Sequence, residues 1–467
     1  MIEQLAAIVG EKHVLTGADR APYANDISGT REAMPLAVVR PADTAEVSAI
    51  VRLANDMKIP VIPVAGRSGL CGGAVGEALI VSVERMTAIR EIRADARTAV
   101  VEAGAILSDI HDAAEAQDLV FPLTFGAKGS ARVGGFLATN AGGSNVLRYG
   151  NTRDLVLGIE AVLPTGEVVD LMSGLHKNNS GYDLRHLLIG SEGTLGIITA
   201  ATLKLHPKPG AYATAMIGMQ SLSDALPLLN EVQRETAGSV EAFEYMPDRY
   251  IEDHIALNPA HKRPFDTAYP VNILIEIGAL APRDCQVNDA GEIPIVSYLE
   301  DILGRYLEDG RIDDAVVAKT EAQRKEMWAR REAAAEIATG RGVRLTNDVA
   351  VPLDQIETFL TRADAVLAEV DAGAETSVVS HLGDGNVHYT VFPSQADPEL
   401  KETIMERVED IVLDLRGSFS AEHGIGTAKL SSMQRRKDPA ALAAMRAIKA
   451  ALDPNGIMNP GKVLPPA

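Results

Sequence analysis

Residues 129–144 of the chain read GSARVGGFLATNAGGS. Glycine and small polar residues at this density weaken a fold unless something packs against bare backbone. Working outward, residues 190–198, GSEGTLGII, form a second cluster that runs straight into a β-branched stretch. A third, PVAGRSGLCGG at residues 63–73, follows directly on a strand-like run. Glycines let backbone N–H groups approach a phosphate and form an anion-binding nest. The spacing at residues 63–73 is neither GxGxxG nor GxxxxGKS/T, and alone it reads equally well as a plain turn. Three clusters in one region together point to an extended, phosphate-bearing cofactor.

Around these clusters, up to about Pro207, β-branched runs at residues 61–64, 78–83 and 98–102 alternate with glycines, which predicts a sheet with functional loops. Residues 156–163 and 168–171 flank Pro164-Thr165-Gly166, a turn composition that joins a hairpin. Residues 197–205 predict one more strand, and HPKPG at residues 206–210 marks a domain boundary. Beyond it, apolar strands such as residues 271–277 mix with amphipathic helices. Ile356, Phe359, Leu360, Ala363, Val366, Leu367 and Val370 keep helical spacing behind Asp354 as the expected N-cap, with Glu357 three residues on. Ile404, Val408, Ile411, Val412 and Leu415 repeat the pattern. Residues 377–392 between them are strand-like, and residues 440–452 predict a short helix. The expected fold is α+β. It has a two-part cofactor domain at residues 1–207, a substrate (cap) domain with an antiparallel sheet at residues 211–417, and a C-terminal helical segment at residues 418–467.

Composition bounds the function. The chain has 467 residues, 46% of them hydrophobic, and a formal net charge of -20. That length supports two or three domains, and that charge disfavours a nucleic-acid partner, which needs a basic surface. Cys71 and Cys285 form no CxxC pair, which suits a reducing compartment. The opening MIEQLAAIVG lacks the basic n-region and long apolar core of a secretory signal. The apolar residues 268–282 are interrupted by Pro270, Asn272 and Glu276, so no membrane span is expected. A cytoplasmic protein, with or without peripheral attachment to a membrane, is the expectation.

The stretch HLGDGNVH at residues 381–388 is informative by spacing. A two-residue turn at Asp384-Gly385 would set His381 opposite His388, with side-chain roots about 5 Å apart. One ion could then bind both rings, and Glu422-His423 offers a carboxylate and a spare histidine for an open catalytic site. On spacing alone, two surface histidines on a hairpin are an equal reading.

In this order the loops, with ATNAGG at residues 138–143, GSEGTLG at residues 190–196 and the motifs HLGDGNVH and EHGIG, resemble the vanillyl-alcohol oxidase and p-cresol methylhydroxylase flavoprotein superfamily. The closer resemblance is to its FAD-dependent D-2-hydroxy acid dehydrogenases: the D-lactate, D-2-hydroxyglutarate and glycolate branch. It covers nearly the whole chain. It implies that Val64, Ala65, Gly66, Arg67, Ser68, Gly69 and Gly72 hold the FAD pyrophosphate. Pro122, Gly129, Ser130, Gly134, Gly135, Ala138, Thr139, Asn140, Gly142 and Gly143 would line the flavin and its chain. Glu192, Gly193, Gly196, Ile197 and Ile198 would complete the site, and Asn459 in the terminal MNPGK would return to it. Relatives with covalent FAD often carry histidine in the first loop. None of residues 61–85 is histidine, so noncovalent FAD is expected, and Cys71 reads as a small packing residue rather than an attachment thiol.

The resemblance further makes His381, His388 and Glu422 ligands of a divalent metal, zinc or manganese, and His423 the base. Oxidising an alcohol requires removing a proton from oxygen while hydride leaves the adjacent carbon. A metal lowers the alcohol's pKa, and histidine accepts a proton near neutral pH. Arg331, in a charged helix with Trp328, matches the arginine that binds substrate carboxylate. The hydroxyglutarate branch adds a threonine, a lysine and an asparagine, where this chain has Ala335, Thr346 and Thr390. Arg344, two residues before Thr346 in an apparent strand, shares its face and is a candidate second cation. D-lactate or another monocarboxylic 2-hydroxy acid is therefore favoured over D-2-hydroxyglutarate. The expected partners are that substrate, an electron acceptor (a quinone, a cytochrome or an electron-transfer flavoprotein) and a second copy in a homodimer. Two other readings compete. A non-catalytic FAD-binding subunit of a glycolate oxidase-like complex is disfavoured by the intact histidine and glutamate motifs. A metal-dependent hydrolase would have no use for the glycine clusters.

Overall fold

The computed structural model describes residues 1–27 and 31–466. The chain divides into two compact units, one of Met1–Gly142, Asn151–Pro207 and Glu422–Ala467, the other of Gly143–Gly150 and Lys208–Ala421. Among the described residues, no helix is long and apolar enough to cross a membrane.

Among its described residues, the first unit holds a four-stranded and a five-stranded sheet. In the smaller sheet Ala37–Val39, Leu79–Ser82 and Val61–Val64 run parallel. Their β-branched side chains are buried on both sides, as parallel strands require. The helix Thr44–Met57 covers one face with Val47, Ile50, Val51 and Ala54. It starts at Asp43, whose carboxylate accepts from the Glu46 N–H at 2.9 Å. The outer edge is closed by the tail: Val61 N–H donates to Ile457 O, and Asn459 N–H donates to Val61 O, both at 2.7 Å. The larger sheet is antiparallel, in the order Ile89–Arg93, Thr98–Glu102, Ile197–Lys204, Val156–Val162, Val168–Leu171.

Among its described residues, the second unit is built on a seven-stranded antiparallel sheet. The order is Asp314–Val317, Ala211–Met219, Val271–Ala279, Val240–Pro247, Glu375–His381, Asn386–Phe392, Leu345–Ala350. One face is apolar. Ile217, Ile273, Ile275, Phe243, Val387, Tyr389 and Val391 pack there under four helices, Ala225–Glu235, Pro294–Glu308, Ile356–Val370 and Pro398–Asp414. Each such side chain contributes roughly 1.5–3 kcal/mol by burial. The other face carries Thr214, Glu276, Glu244, His381, His388, Asp348 and Thr390, fixed on one side by the register that pairs Thr214 with Glu276, Glu244 with His381 and Asp348 with His388.

Two local expectations are corrected. The N-cap of Ile356–Val370 is Gln355, without a side-chain cap, because Asp354 is drawn into the 3₁₀ turn Leu353–Gln355. The helix Val146–Tyr149 was expected with the glycine-rich domain but belongs to the second unit, since Arg148 and Tyr149 both bond the buried Glu241 at 2.7 Å.

Candidate cofactor and substrate site

The three glycine clusters meet at close range, with backbone as a main partner. A Cβ on Gly66 would lie 2.4 Å from Ser130 O and 3.0 Å from Ala131 Cα, so the first loop touches the second with no room for any side chain. Gly193 has φ +71, and a Cβ there would stand 2.9 Å from Pro63. The third cluster is stitched to the second by Gly190 N–H to Leu137 O at 2.9 Å and Glu192 N–H to Ala138 O at 2.8 Å. Arg67, Asn140, Glu192 and Asn459 all adopt positive φ, an uncommon state for residues with a side chain, and one of each falls in a cluster or the tail.

Two observations fit a phosphate-bearing cofactor here. Among the described residues, the N–H groups of Arg67, Ser68, Gly69 and Leu70 donate to no backbone carbonyl. Successive open donors of this kind form an anion nest. The second is Asn459, which is buried. Its Nδ2 donates to Gly73 O at 3.1 Å and Glu192 O at 2.7 Å, so its Oδ1 is left as a buried acceptor without a partner. Both partners of Nδ2 are carbonyls, which fixes the amide orientation. A hydroxyl or N–H of a bound cofactor would satisfy Oδ1.

Glu192 does something the sequence did not announce. Its carboxylate accepts from Ile425 N–H and Gly426 N–H, each at 2.7 Å, and so fastens the EHGIG segment to the third glycine cluster. Burial pushes its carboxyl above the ordinary range, although the two N–H groups favour the charge. Cys71 holds the same segment from another side, its carbonyl accepting from Thr427 N–H at 2.8 Å and its Sγ lying 3.5 Å from Gly424 O. Glu422 lies against Gly142, where a Cβ would fall 2.4 Å from Glu422 Oε1. In an extended strand Glu422 and His423 would point apart. The chain bends there instead, and their ligand atoms lie within 4.8 Å of each other.

In the second unit the polar sheet face gathers the other predicted residues. The hairpin differs from expectation. Its loop is residues 382–385, not Asp384-Gly385 alone, so His381 opposes Asn386 and His388 opposes Val379. Asp384 N–H and Gly385 N–H both donate to His381 O, and Gly385 has φ +88, a wider turn than the two-residue type. A register change of two preserves the face, and the His381 and His388 rings still meet edge to face with centroids 5.4 Å apart. Arg331, 7% exposed, donates from Nε to Glu244 Oε2 at 2.6 Å, and its Nη2 lies 3.3 Å from both ring nitrogens of His381. Glu244 Oε1 lies 2.9 Å from His381 Nδ1. Burial alone would push the Glu244 carboxyl up, but the charges of His381 and Arg331 outweigh it and hold it below the ordinary value.

Asp348, fully buried, stands 3.6 Å from His388 Nδ1 and accepts from Asn386 Nδ2 at 3.0 Å. Its own carbonyl accepts from Ala421 N–H at 3.1 Å. Neither Glu244 nor Asp348 was singled out from the sequence. The available signal was an acidic residue inside an otherwise apolar run, as in VEAFEYMP. Arg344 stands half-buried just ahead of the strand Leu345–Ala350, on the side of Thr346 by alternation. Ala335 is exposed at the helix Ala334–Thr339.

Comparison with known proteins defines the class first. Residues 35–172 match the family described as FAD binding domain, and residues 208–463 match FAD linked oxidases, C-terminal domain. Solved structures share the fold at low identity. One is p-cresol methylhydroxylase with substrate bound, with a TM-score of 0.75 and 16% identity, covering 99% of this chain and 95% of the other. Another is alkyldihydroxyacetonephosphate synthase, with a TM-score of 0.73 and 18% identity, covering 99% and 85%. These findings describe an oxidoreductase flavoprotein. Among curated relatives, D-2-hydroxyglutarate dehydrogenase of Xanthomonas citri pv. viticola is 36% identical over 96% of this chain and 93% of its own. D-lactate dehydrogenase of Anaerostipes hadrus is 35% identical over 99% and 97%. The chain belongs to the D-2-hydroxy acid dehydrogenase branch of the FAD-linked oxidases.

Proposed function

We propose that the protein oxidises a D-2-hydroxy acid to the corresponding 2-oxo acid, with noncovalent FAD held by the three glycine clusters, a divalent metal at His381, His388 and Glu422, and His423 as base. The observation that carries this reading is the hydrogen-bonded cluster Arg331–Glu244–His381, buried on a sheet face beside His388 and Asp348. Taking such groups out of water is costly, and perturbed buried clusters of this kind collect at functional sites. Arg331 supplies a planar donor for the substrate carboxylate, Glu244 fixes the ring of His381, and Asp348 orients His388. The nitrogen and oxygen donors suit zinc or manganese, and such an ion would lower the pKa of the substrate hydroxyl. Bound flavin would supply the acceptor for hydride. His423 takes the hydroxyl proton.

D-lactate and similar monocarboxylic acids are favoured, because Ala335, Thr346 and Thr390 stand where the hydroxyglutarate branch has polar or cationic groups. One observation favours D-2-hydroxyglutarate instead. Among the described residues Arg344 makes no ion pair, so its guanidinium is available to a second carboxylate.

Anaerobic rapid mixing tests the reading. D-hydroxy acids, not their L-enantiomers, should bleach the flavin. His423→Asn should keep FAD and metal but slow that step by roughly two to four orders of magnitude. Near-normal bleaching would move the base elsewhere, and turnover that survives full chelation would remove the metal.

A further inference from the structure

Lys462 is 8% exposed, yet among the described residues its ammonium has no hydrogen bond or ion pair. Its Nζ lies 3.8 Å from where a Cβ on Gly76 would sit, three residues beyond the first glycine loop. Arg31 leans on the same loop, its Cγ 3.1 Å from a Cβ on Gly72, with Nη2 3.3 Å from Thr427 O. Burial pulls the Lys462 pKa below the ordinary lysine value, and the neighbouring charge that acts on it, Arg31, pushes the same way. A buried cation is ordinarily paired. The backbone beside it is also held in an uncommon state. Leu464 N–H closes on Lys462 O at 2.6 Å in a γ-turn centred on Val463, a β-branched residue at φ +62. Such turns are rare and strained, and strain of this kind collects at ligand sites.

We propose that Lys462, with Arg31 beside it, is the counter-ion for the diphosphate of FAD, which adds a cationic side to a nest otherwise made of backbone N–H groups. This rests on the reading that the diphosphate lies at residues 66–73. The tail segment that carries Lys462 also carries Asn459, whose unpartnered Oδ1 is buried in the same unit. The tail thus brings a cation and an acceptor to one cofactor. The structural alternative, a lysine that merely packs, makes the opposite prediction for the cofactor-free protein.

The test is a titration of flavin-free full-length protein with FAD and, in parallel, with riboflavin, which has no phosphate. Lys462→Met should weaken FAD by about 10- to 100-fold, the usual size of a charge-assisted hydrogen bond, and leave riboflavin unchanged. Lys462→Arg should recover most of the loss. In thermal unfolding without flavin, Lys462→Met should melt at or above the wild-type temperature, because a partly desolvated, unpaired charge has been removed. Unchanged FAD affinity would overturn the proposal. So would equal losses for FAD and riboflavin with a lower flavin-free melting temperature, the signature of a packing role. If Lys462→Met does not fold, the wild-type contrast decides: salt should weaken FAD and spare riboflavin, and equal salt dependence would overturn the pairing. A wild type that binds no FAD at all would refute the underlying reading instead.

Discussion

The two units present their polar groups by opposite means. In the first, the groups that would face a cofactor are backbone amides, exposed because glycine keeps side chains out of the way. In the second, they are charged and polar side chains, held on one sheet face by partners on other strands. Backbone sites fail when a side chain is added. Side-chain sites fail when one is removed and its partner is left charged in a dry place.

The largest effect expected from that contrast is at Glu244. Glu244→Ala should cost about 3–5 kcal/mol in urea unfolding of the FAD-loaded protein, since Arg331 and His381 lose their shared carboxylate. A loss under about 1 kcal/mol would mean that the triad is solvated, and the contrast would collapse.

Next come the glycines. Gly66→Ala drives a Cβ into backbone and should cost about 1–3 kcal/mol together with FAD retention. Gly129→Ala, with nothing within 4 Å, should stay within about 0.5 kcal/mol. If the flavin-to-protein ratio falls equally in both, close approach is not what selects glycine in these loops.

The smallest effect sharpens the picture of the second unit. His254 is buried, with Nε2 2.9 Å from His261 Nδ1. Burial first, then the His261 charge, lowers its pKa to about 4. The unfolded histidine titrates near 6.5, so between about pH 4 and 6.5 the unfolded state binds the extra proton. Stability therefore rises with pH through that window and is lost as pH falls below about 6.5. His254→Leu should reduce the slope of the urea midpoint against pH there by at most about one proton. An unchanged slope would show that His254 is already protonated in the folded protein.

The same contrast explains what was readable in advance. Glycine clusters are a local, compositional signal, so the three loops stood out although residues far apart in sequence complete them. The hairpin at residues 381–388 was also visible, and its wider loop left the histidine face unchanged. Glu244 was not visible, because its partner His381 lies 137 residues away and nothing near Glu244 in sequence encodes the pairing. Asp348 was hidden for the same reason, its partners Asn386 and His388 lying on a different strand. Glu192 was noticed as part of a loop, but its tie to Ile425 and Gly426 bridges 234 residues and follows from tertiary folding alone.

The tail that closes the strand at Val61 has a consequence in time. Gly73 and Asn459 are bonded across 386 residues of chain. A ribosome adding about 5–20 residues per second needs roughly 20–80 s to travel that far. Until then the first glycine loop exists without its seal, and the edge of Val61–Val64 stays open to wrong strand partners. On the proposed reading of the loops, cofactor capture is thereby tied to the end of synthesis, and a chain released early carries the loops yet lacks the clasp.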